Sequence, residues 1–202
     1  MIDVRELFGE TDIYLLDQIL KDRFHFNSSI LDAGCGSGRN LVYFLRNGNE
    51  VFGVDQNPEA LKYVRALAAS LAPNLPPENF QVSAIEQLTF ASNRFDAVIC
   101  SAVLHFARDE THFEQMLGEL WRVLKSGGLF FARLASSIGV EDKIELIANR
   151  RYWLPDGSER FLVNEEMLMR LTARIGGNWL EPLKTTNVQN LRSMTTWVLS
   201  KD

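Results

Sequence analysis

The chain alternates short runs of apolar residues with longer segments in which apolar residues recur every three or four positions. The short runs predict buried β-strands, and the recurring pattern predicts helices that pack one face on a sheet. The predicted strands lie at 30–32, 51–54, 80–84, 95–100 and 129–134. Because helical segments separate them, we expect a parallel sheet covered by helices, which is an α/β fold.

Capping residues mark where several of the helices begin or end. Asn57 and Pro58 predict an N-cap and a first helical position directly after the second strand. The sequence Ser-Gly-Gly at 126–128 closes the helix that follows the fourth strand. Asn164 begins a last helix, which ends at Gly176 because glycine favours the left-handed conformation of a C-terminal cap.

The pattern changes after the fifth strand. Residues 141–148 are predicted to be helical, whereas 151–154 and 160–163 flank the turn sequence Pro-Asp-Gly-Ser and predict a β-hairpin. Two closing strands are predicted near 179–186 and 193–200. Since a short loop joins them, we expect an antiparallel pair at one edge of the sheet.

A chain of 202 residues has room for a single domain and can bury enough surface to fold without disulfides or metals. Four parts of that domain, 1–202, are distinguished. They are an N-terminal helical segment at 1–28, a core at 29–135, an insertion at 136–163 that we interpret as a lid, and a closing part at 164–202 with the last helix and the edge strands.

Charge and cysteine content narrow the classes of function. The net charge is -5, whereas proteins that bind nucleic acids usually present a basic face, so we expect no nucleic-acid partner. The two cysteines, Cys35 and Cys100, lie in apolar stretches, which predicts neither a disulfide framework nor a metal site. No leader pattern or apolar run of about 20 residues is found, so we expect no membrane partner and a cytoplasmic protein.

Candidate chemistry is concentrated where the first predicted strand ends. The sequence at 30–38 is ILDAGCGSG, which places three alternate glycines between a strand and a helix. Such a turn lets a ligand approach the backbone and the amides of the helix that follows. Dinucleotide-binding folds use G-x-G-x-x-G at this place. That fingerprint fails in both registers, because its third glycine would fall at Arg39 or at Leu41.

Four motifs in combination resemble those of the class I S-adenosylmethionine-dependent methyltransferases. Residues 30–38 match the apolar-apolar-acidic-x-Gly-x-Gly-x-Gly signature, and Asp55 matches the acidic residue that closes the second strand. The Phe-Asp pair at 95–96 and the Leu-Lys-x-Gly-Gly turn at 124–128 complete the set. The resemblance covers about 30–135. It implies a Rossmann-like, doubly wound, mostly parallel sheet of seven strands in the order 3-2-1-4-5-7-6, with one antiparallel strand.

The same resemblance implies S-adenosylmethionine as the cofactor, with S-adenosylhomocysteine as the product. Asp55 would accept hydrogen bonds from both ribose hydroxyls, each worth about 1.5–3 kcal/mol. Asp32 would lie under the methionine end and orient its ammonium group. An ordinary cap or turn role is the alternative for both aspartates, and a surface charge is the alternative for Arg39. The other predicted cofactor contacts are Gly34, Gly36, Arg39, Gln56, Ala84, Ile85 and Ser101.

One position departs from the pattern of the family. Many members carry an acidic residue after the third strand that accepts the adenine amino group. Alignment on Leu88 and Phe90 places Ala84 there. Recognition of adenine would then fall to backbone groups of Ala84 and Ile85, with Glu86 as the alternative.

The methyl acceptor is predicted to be a small molecule. Base-methylating members of the family carry an Asn/Asp-Pro-Pro-aromatic tetrapeptide after the fourth strand, and this chain has none there. His105 is the nearest candidate for a catalytic base, with a structural histidine as the alternative. A base is optional, since positioning and exclusion of water can supply much of the catalysis. Tyr14, Arg151 and Trp153 are the predicted substrate contacts, with packing or surface roles as alternatives.

Two other functions remain open at this stage. A non-catalytic regulatory protein that binds S-adenosylmethionine would fit the departure at Ala84 and the lack of an obvious base. A nicotinamide-dependent oxidoreductase would also use a glycine-rich turn, although the failed fingerprint counts against it. Gly38, Arg39 and Asn40 give a weaker resemblance to the tellurite- and thiopurine-resistance methyltransferases.

Overall fold

The computed structural model describes residues 3–202, which form one large sheet between two layers of helices and one small sheet beside it. The helices are α1 (Val4–Phe8), α2 (Ile13–Leu20), α3 (Val42–Arg46), α4 (Pro58–Leu71), α5 (Glu110–Val123) and α6 (Glu165–Ile175). The strands are β1 (Ser29–Ala33), β2 (Glu50–Asp55), β3 (Phe80–Val82), β4 (Phe95–Ser101), β5 (Leu124–Ala135), β6 (Glu145–Ala148), β7 (Arg151–Trp153), β8 (Glu159–Phe161), β9 (Gly177–Trp179), β10 (Lys184–Val188) and β11 (Arg192–Lys201).

The large sheet has the order β10-β11-β5-β4-β1-β2-β3, with β9 also paired to β11. Strands β1 to β5 run parallel, and β11 is antiparallel to its neighbours β5, β9 and β10. The predicted order 3-2-1-4-5-7-6 is confirmed, with β10 and β11 as its sixth and seventh strands. The predicted strand at 179–186 is instead divided into β9 and β10, and Pro182, which has no amide hydrogen for a strand ladder, lies in the gap.

Helices cover both faces of the sheet because successive strand residues point to opposite sides. Ile30 and Ile99 pack with apolar residues of α2, α3 and α4 on one face. Leu31 and Val98 pack with α5 and α6 on the other face. All five residues of β1 are buried, which explains why the sequence shows a continuous apolar run there rather than an alternating one.

The predicted caps are confirmed at α4 and α6. The Asn57 side chain accepts a hydrogen bond from the amide of Glu59 at 3.0 Å, and Asn164 accepts one from Met167 at 3.0 Å. Gly176 ends α6 in the left-handed conformation, with φ of 66°. Each of these caps depends only on residues that are close together in the chain, so the sequence alone was sufficient to locate them.

Three predicted boundaries differ from the structure. The predicted helix at 141–148 is wrong, because 145–148 pair with β7 and form a third strand of the small sheet. Strand β3 ends at Val82 rather than at residue 84, and β5 begins at Leu124 rather than at 129. The glycines at 127 and 128 thus lie inside β5, beside a register shift in its pairing with β4. Strand pairing overrides the local pattern at all three places.

The small sheet, β6-β7-β8, contains the predicted hairpin and is packed against the core. Phe161 of β8 is fully buried, and its ring stacks on Phe113 of α5 with centroids 5.2 Å apart. Arg151 of β7 donates to the carbonyl of Ala107 at 3.0 Å. These contacts fix the position of the small sheet next to the carboxyl ends of β4 and β5.

We expect Phe161→Ala to lower the free energy of unfolding by about 3–5 kcal/mol, because the change leaves a cavity under the small sheet. Chemical denaturation would measure the loss. Leu146→Ala in β6 is the matched control, since that side chain is 61% exposed and its truncation should cost little. Equal stability of the two variants would contradict the fixed attachment of the small sheet.

Candidate functional site

The turn after β1 is open to ligand because of its glycine backbone. Gly34 and Gly36 have φ of 82° and 52°, a region that other residues rarely adopt. A Cβ atom at Gly34 would lie 2.3 Å from Cγ2 of Val103, whereas one at Gly36 would have nothing within 4 Å. The turn therefore requires glycine at 34 for space, and it presents bare backbone to an open region at 36.

Asp55 at the end of β2 is held by two backbone amides. Its Oδ2 accepts from the amide of Gly36 at 2.9 Å, and its Oδ1 accepts from the amide of Asn57 at 2.8 Å. A carboxylate has about four lone-pair sites, so each oxygen keeps the capacity to accept a further hydrogen bond. The carboxylate lies in the wall of a cavity of about 500 Å³ that Gly34 and Gln56 also line.

The opposite wall of this first cavity comes from the segment after β3 and from α5. Ile85 and Glu86 line it, whereas Ala84 does not, and the carbonyl of Ala84 already accepts from the amide of Gln87. The Oε2 atom of Glu86 is buried without a hydrogen-bond partner among the described residues. Burial alone would raise the pKa of Glu86, but its hydrogen bonds to backbone and to His112 outweigh that effect, and the pKa falls below its usual value. Glu86 is thus ionised, with one oxygen 3.0 Å from Nε2 of His112 and the other buried without a partner in the wall of the cavity.

Asp32 is a buried carboxylate without a partner. It lies inside β1 and is 1% exposed, and neither of its oxygens accepts a hydrogen bond from any described residue. Burial raises its pKa to about 7, although the positive charge of Arg39 opposes the rise. An unpaired buried carboxylate destabilises a fold unless something compensates it, so this site is suited to a cationic group such as an ammonium.

Asp12 and Arg133 join the N-terminal helices to the end of the sheet, and the sequence analysis missed both. Oδ2 of Asp12 accepts from Arg133 at 2.9 Å and from the Ser101 hydroxyl at 3.4 Å, and its amide donates to Asn40 at 3.0 Å. Asp12 is 5% exposed although it also caps α2. The sequence did contain one indication that Arg133 has a special role, because an arginine inside the apolar run at 129–135 is unusual for a buried strand.

A second cavity of about 390 Å³ adjoins the first, and the two share Ala102 and Phe106 in their walls. Ala102 has φ of 64°, which is uncommon for a residue other than glycine and is typical of functional sites. Four arginines stand out among the lining residues. The full lining is Arg39, Ala102, His105, Phe106, Arg133, Ala135, Leu154, Asp156, Ser158, Arg160, Val188, Arg192 and Met194.

His105 lines the second cavity in a neutral form. Its Nδ1 accepts a hydrogen bond from the amide of Ala135 at 3.2 Å. Burial and, to a lesser degree, the charge of Arg160 lower its pKa to about 4. A neutral imidazole has one N–H, which the bond from Ala135 assigns to Nε2. His105 therefore offers the cavity a hydrogen-bond donor.

The predicted site residues divide between those that line the cavities and those that do not. Gly34, Asp55, Gln56, Ile85 and Ser101 line the first cavity, and Arg39 and His105 line the second. Asp32 and Gly36 line neither cavity, although the amide of Gly36 donates to Asp55, which lines the first. Ala84 lines neither cavity.

None of the three predicted substrate contacts lines either cavity. Tyr14 packs its ring on the guanidinium of Arg133 at 4.9 Å and hydrogen-bonds Thr186. Arg151 pairs with Glu159 at 2.6 Å, and Trp153 is 49% exposed. The strand pairing of β7 turns both of these side chains away from the second cavity, which the pattern of the hairpin alone did not show.

Two other features, a membrane-spanning helix and a metal-binding cluster, are absent from residues 3–202. No helix in this range is long enough and apolar enough to cross a bilayer. The same range holds no cluster of three His, Cys, Asp or Glu side chains arranged to bind a metal ion. The thiols of Cys35 and Cys100 are buried, which raises the pKa of each, and a protonated thiol is unreactive.

The sequence of the chain is similar to those of known methyltransferases. The profile of a family described as a methyltransferase domain matches residues 31–132. The chain is 27% identical over 179 residues to a ubiquinone biosynthesis O-methyltransferase of Methylobacterium nodulans, covering 86% of this chain and 68% of that protein. It is 36% identical over 104 residues to a ubiquinone/menaquinone biosynthesis C-methyltransferase of Zymomonas mobilis, covering 50% of this chain and 40% of that one.

Solved structures share the fold at low sequence identity. An S-adenosylmethionine-dependent methyltransferase of Methanosarcina mazei superposes with a TM-score of 0.74 at 20% identity, covering 91% of this chain and 96% of that one. The 1,6-didemethyltoxoflavin-N1-methyltransferase of Burkholderia thailandensis, solved with 1,6-didemethyltoxoflavin and S-adenosylhomocysteine bound, superposes with a TM-score of 0.71 at 19% identity, covering 99% of this chain and 82% of that one.

The family match spans half of this chain and includes the glycine turn, Asp55 and the end of β4. The chain therefore belongs to the methyltransferase-domain family, within the class I S-adenosylmethionine-dependent methyltransferases. Its cofactor is S-adenosylmethionine. The confirmed sheet order and the buried, unpartnered carboxylate of Asp32 fit that cofactor independently of the comparison.

We expect Asp32→Asn to raise stability and to weaken cofactor binding at the same time. The folded pKa of about 7 lies above the ordinary value of 3.8, so the parent loses stability as pH rises from about 4 to about 7. The variant avoids this cost and should gain up to about 4 kcal/mol at pH 8, a gain that disappears below pH 4. Unfolding of the ligand-free proteins by denaturant at both pH values measures it.

The same variant should bind S-adenosylhomocysteine about 10- to 100-fold more weakly at pH 8, because it lacks the negative charge for the ammonium group. Calorimetric titration would measure the loss. Asp142→Asn, a change at an exposed carboxylate, serves as the control and should alter neither quantity. A stabilised Asp32→Asn that still binds at the parent affinity would contradict the assignment of Asp32 to the ammonium group.

Proposed function

We propose that the protein transfers a methyl group from S-adenosylmethionine to a small molecule bound in the second cavity. The observation that carries this proposal is the junction of the two cavities at Ala102 and Phe106. The first cavity carries the carboxylates that suit the cofactor, and the second has a separate, arginine-lined wall. A donor site and an acceptor site in direct contact are what a transfer between two bound molecules requires.

Residues of the first cavity, together with Asp32, suit three parts of the cofactor. Asp55 is fixed by two backbone amides and has free lone pairs, so it can accept from both hydroxyls of a ribose. Asp32 has no other partner and suits the ammonium group. Glu86 has a buried free oxygen and suits the adenine amino group better than Ala84, whose carbonyl is already occupied. Glu86 thus replaces Ala84 in our proposal, and backbone groups of Ile85 remain a candidate contact.

The remaining predicted contacts lie around the methionine end. Arg39 follows the glycine turn and lines the second cavity, a place from which a carboxylate could be bound. Ser101 lines the first cavity, and its hydroxyl already donates to Asp12. Asp12 and Arg133 hold α2 against this end of the sheet. We therefore propose that the segment at 1–28 closes the methionine end of the site.

Catalysis in this arrangement depends on positioning rather than on a strong base. The bound sulfonium supplies an activated methyl group, so the protein needs chiefly to align the acceptor and exclude water. His105 is neutral at pH 7, and its free ring nitrogen carries the proton, so the structure supports a role as hydrogen-bond donor to the acceptor. Its predicted role as a base stays a prediction.

The position of residues 136–163 supports our interpretation of this segment as a lid, by which we mean a fixed cover over the second cavity. Leu154, Asp156, Ser158 and Arg160 form one wall of the second cavity. Phe161 anchors that wall to α5. We propose that this wall, rather than the glycine turn, selects the acceptor.

We also propose the cytoplasm as the place of action and a small molecule rather than a nucleic acid as the acceptor. Both proposals rest on the sequence, where the net charge is -5 and two cysteines remain as thiols, which fits a reducing compartment. The family match favours methyl transfer over the regulatory and oxidoreductase alternatives.

We expect Asp55→Ala to weaken binding of S-adenosylmethionine about 10- to 1000-fold, because one or two charge-assisted hydrogen bonds to the ribose are lost. Isothermal titration would measure the dissociation constant. Glu59→Gln is the matched control, since Glu59 is an exposed carboxylate in the first turn of α4 and lies outside the cavity lining. The control should bind at the parent affinity.

The carboxylate of Asp55 also holds the glycine turn, so folding must be checked separately. Thermal unfolding of the ligand-free variant shows whether the sheet is intact. A folded Asp55→Ala protein that binds the cofactor as tightly as the parent would refute the assignment of Asp55 and remove the support that it gives to this function.

A further inference from the structure

We infer that the acceptor is a small anion, an apolar body that carries a carboxylate or comparable oxyanion group, bound by Arg133, Arg160 and Arg192 of the second cavity. This inference rests on the proposed function and adds the chemical class of the acceptor. It follows from the surplus of positive charge in the cavity, from the unused donors of its wall and from its size.

Positive charge exceeds negative charge in the wall of this cavity. The wall contains four arginines and one carboxylate, Asp156, which lies 3.7 Å from Arg192. Asp12 pairs with Arg133, and Arg39 interacts with the buried carboxylate of Asp32. Arg160 is the arginine that this count leaves without a carboxylate of its own. His105 adds no charge because it is neutral at pH 7.

Arg160 is the uncompensated charge of this wall. No carboxylate among residues 3–202 lies within ion-pair distance of it. Its Nη1 donates to the carbonyl of Glu159 at 2.7 Å, and its guanidinium lies over the ring of Phe106, 5.0 Å from the centroid. Phe106 lies in the wall that both cavities share. A guanidinium held over that ring can bind an anion near the place where the two cavities meet.

The pKa values of two groups that line the cavity, His105 and Asp156, are lowered in part by the charges of the arginines. The pKa of His105 is lowered by burial and by the charge of Arg160. Burial would raise the pKa of Asp156, but hydrogen bonds from Ser158, together with the charges of Arg192 and Arg160, hold it below its usual value. These shifts agree with the charge count.

The wall also contains polar hydrogens that no described residue uses. Nε of Arg133 is buried and donates to nothing among residues 3–202. The Nε2 hydrogen of His105 is available in the neutral tautomer that the bond from Ala135 assigns. A ligand in the cavity that accepts from the Nε2 hydrogen of His105 would satisfy a donor that the protein leaves free.

The dimensions and the apolar part of the cavity limit the size of the anion. A volume of about 390 Å³ suits a small molecule rather than a polymer. Leu154, Val188 and Met194 supply apolar surface between the arginines. An aromatic or aliphatic body with one anionic end matches this mixture.

The test uses the full chain saturated with S-adenosylhomocysteine and two pairs of probes that differ in charge. Benzoate is compared with benzamide, and phenyl phosphate with phenol, while NMR follows the side-chain Nε–H signals of the arginines. We expect saturable shifts of the Arg133 or Arg160 signals with at least one anion and no comparable shifts with its neutral partner. Preference between benzoate and phenyl phosphate tells a carboxylate site from a phosphate site.

The double variant Arg160→Gln/Arg192→Gln should bind the preferred anion about 10- to 100-fold more weakly, since each charged hydrogen bond contributes about 1.5–3 kcal/mol. Arg174→Gln is the matched control, because Arg174 pairs with Glu114 on the far surface and should leave anion binding unchanged. Equal shifts with charged and neutral probes, no saturable shift with either anion, or undiminished binding by the double variant would overturn the inference.

Titration of S-adenosylhomocysteine into ligand-free samples of the same proteins distinguishes failure of this inference from failure of the proposed function on which it rests. Cofactor binding by the parent and the double variant, without preference for anions, would overturn only the anionic acceptor. Failure of the parent to bind the cofactor would overturn the proposed function itself.

Discussion

The site depends on one carboxylate, that of Asp55, which holds two backbone amides at once. Through Gly36 and Asn57 it joins the turn after β1 to the start of α4, so two neighbouring strand ends keep a fixed spacing. The glycines can then adopt a backbone that other residues avoid and still remain in one conformation.

A second constraint is the unpaired charge of Asp32. Parallel strands buried on both faces leave no water for a side chain inside β1, and no described residue donates a hydrogen bond to this carboxylate. Stability and cofactor binding therefore oppose each other at this position. A residue that destabilises the fold at its own position is expected chiefly at a functional site. The need to bind the cofactor therefore explains why a carboxylate occurs in an otherwise apolar strand.

The two cavities show how one family can serve many acceptors. The first is built from the ends of β1, β2 and β4, which the sheet itself positions. The second takes its wall from the small sheet and from the strand β11 that closes the chain, and these parts supply Arg160 and Arg192. Because Phe161 fixes the small sheet to α5, the side chains of the proposed acceptor wall are held in place rather than presented on a free loop.

The sequence by itself determined the α/β fold, the helix caps and the cofactor motifs, because each depends on a short pattern or on residues near one strand end. The sheet order followed only from the family resemblance that those motifs carry. It did not determine the strand at 145–148, whose pairing with β7 overrides its local preference. It also did not single out Asp12, Arg133 and Arg192, which lie far apart in the chain, and only the packing of the N-terminal helices, β5 and β11 brings them to the site. Tertiary structure likewise separated Arg160, which lines the second cavity, from Arg151, which pairs with Glu159. Arg160 lies opposite Tyr152 in the register of β7 and β8, so its side chain points to the other face of the small sheet from that of Arg151.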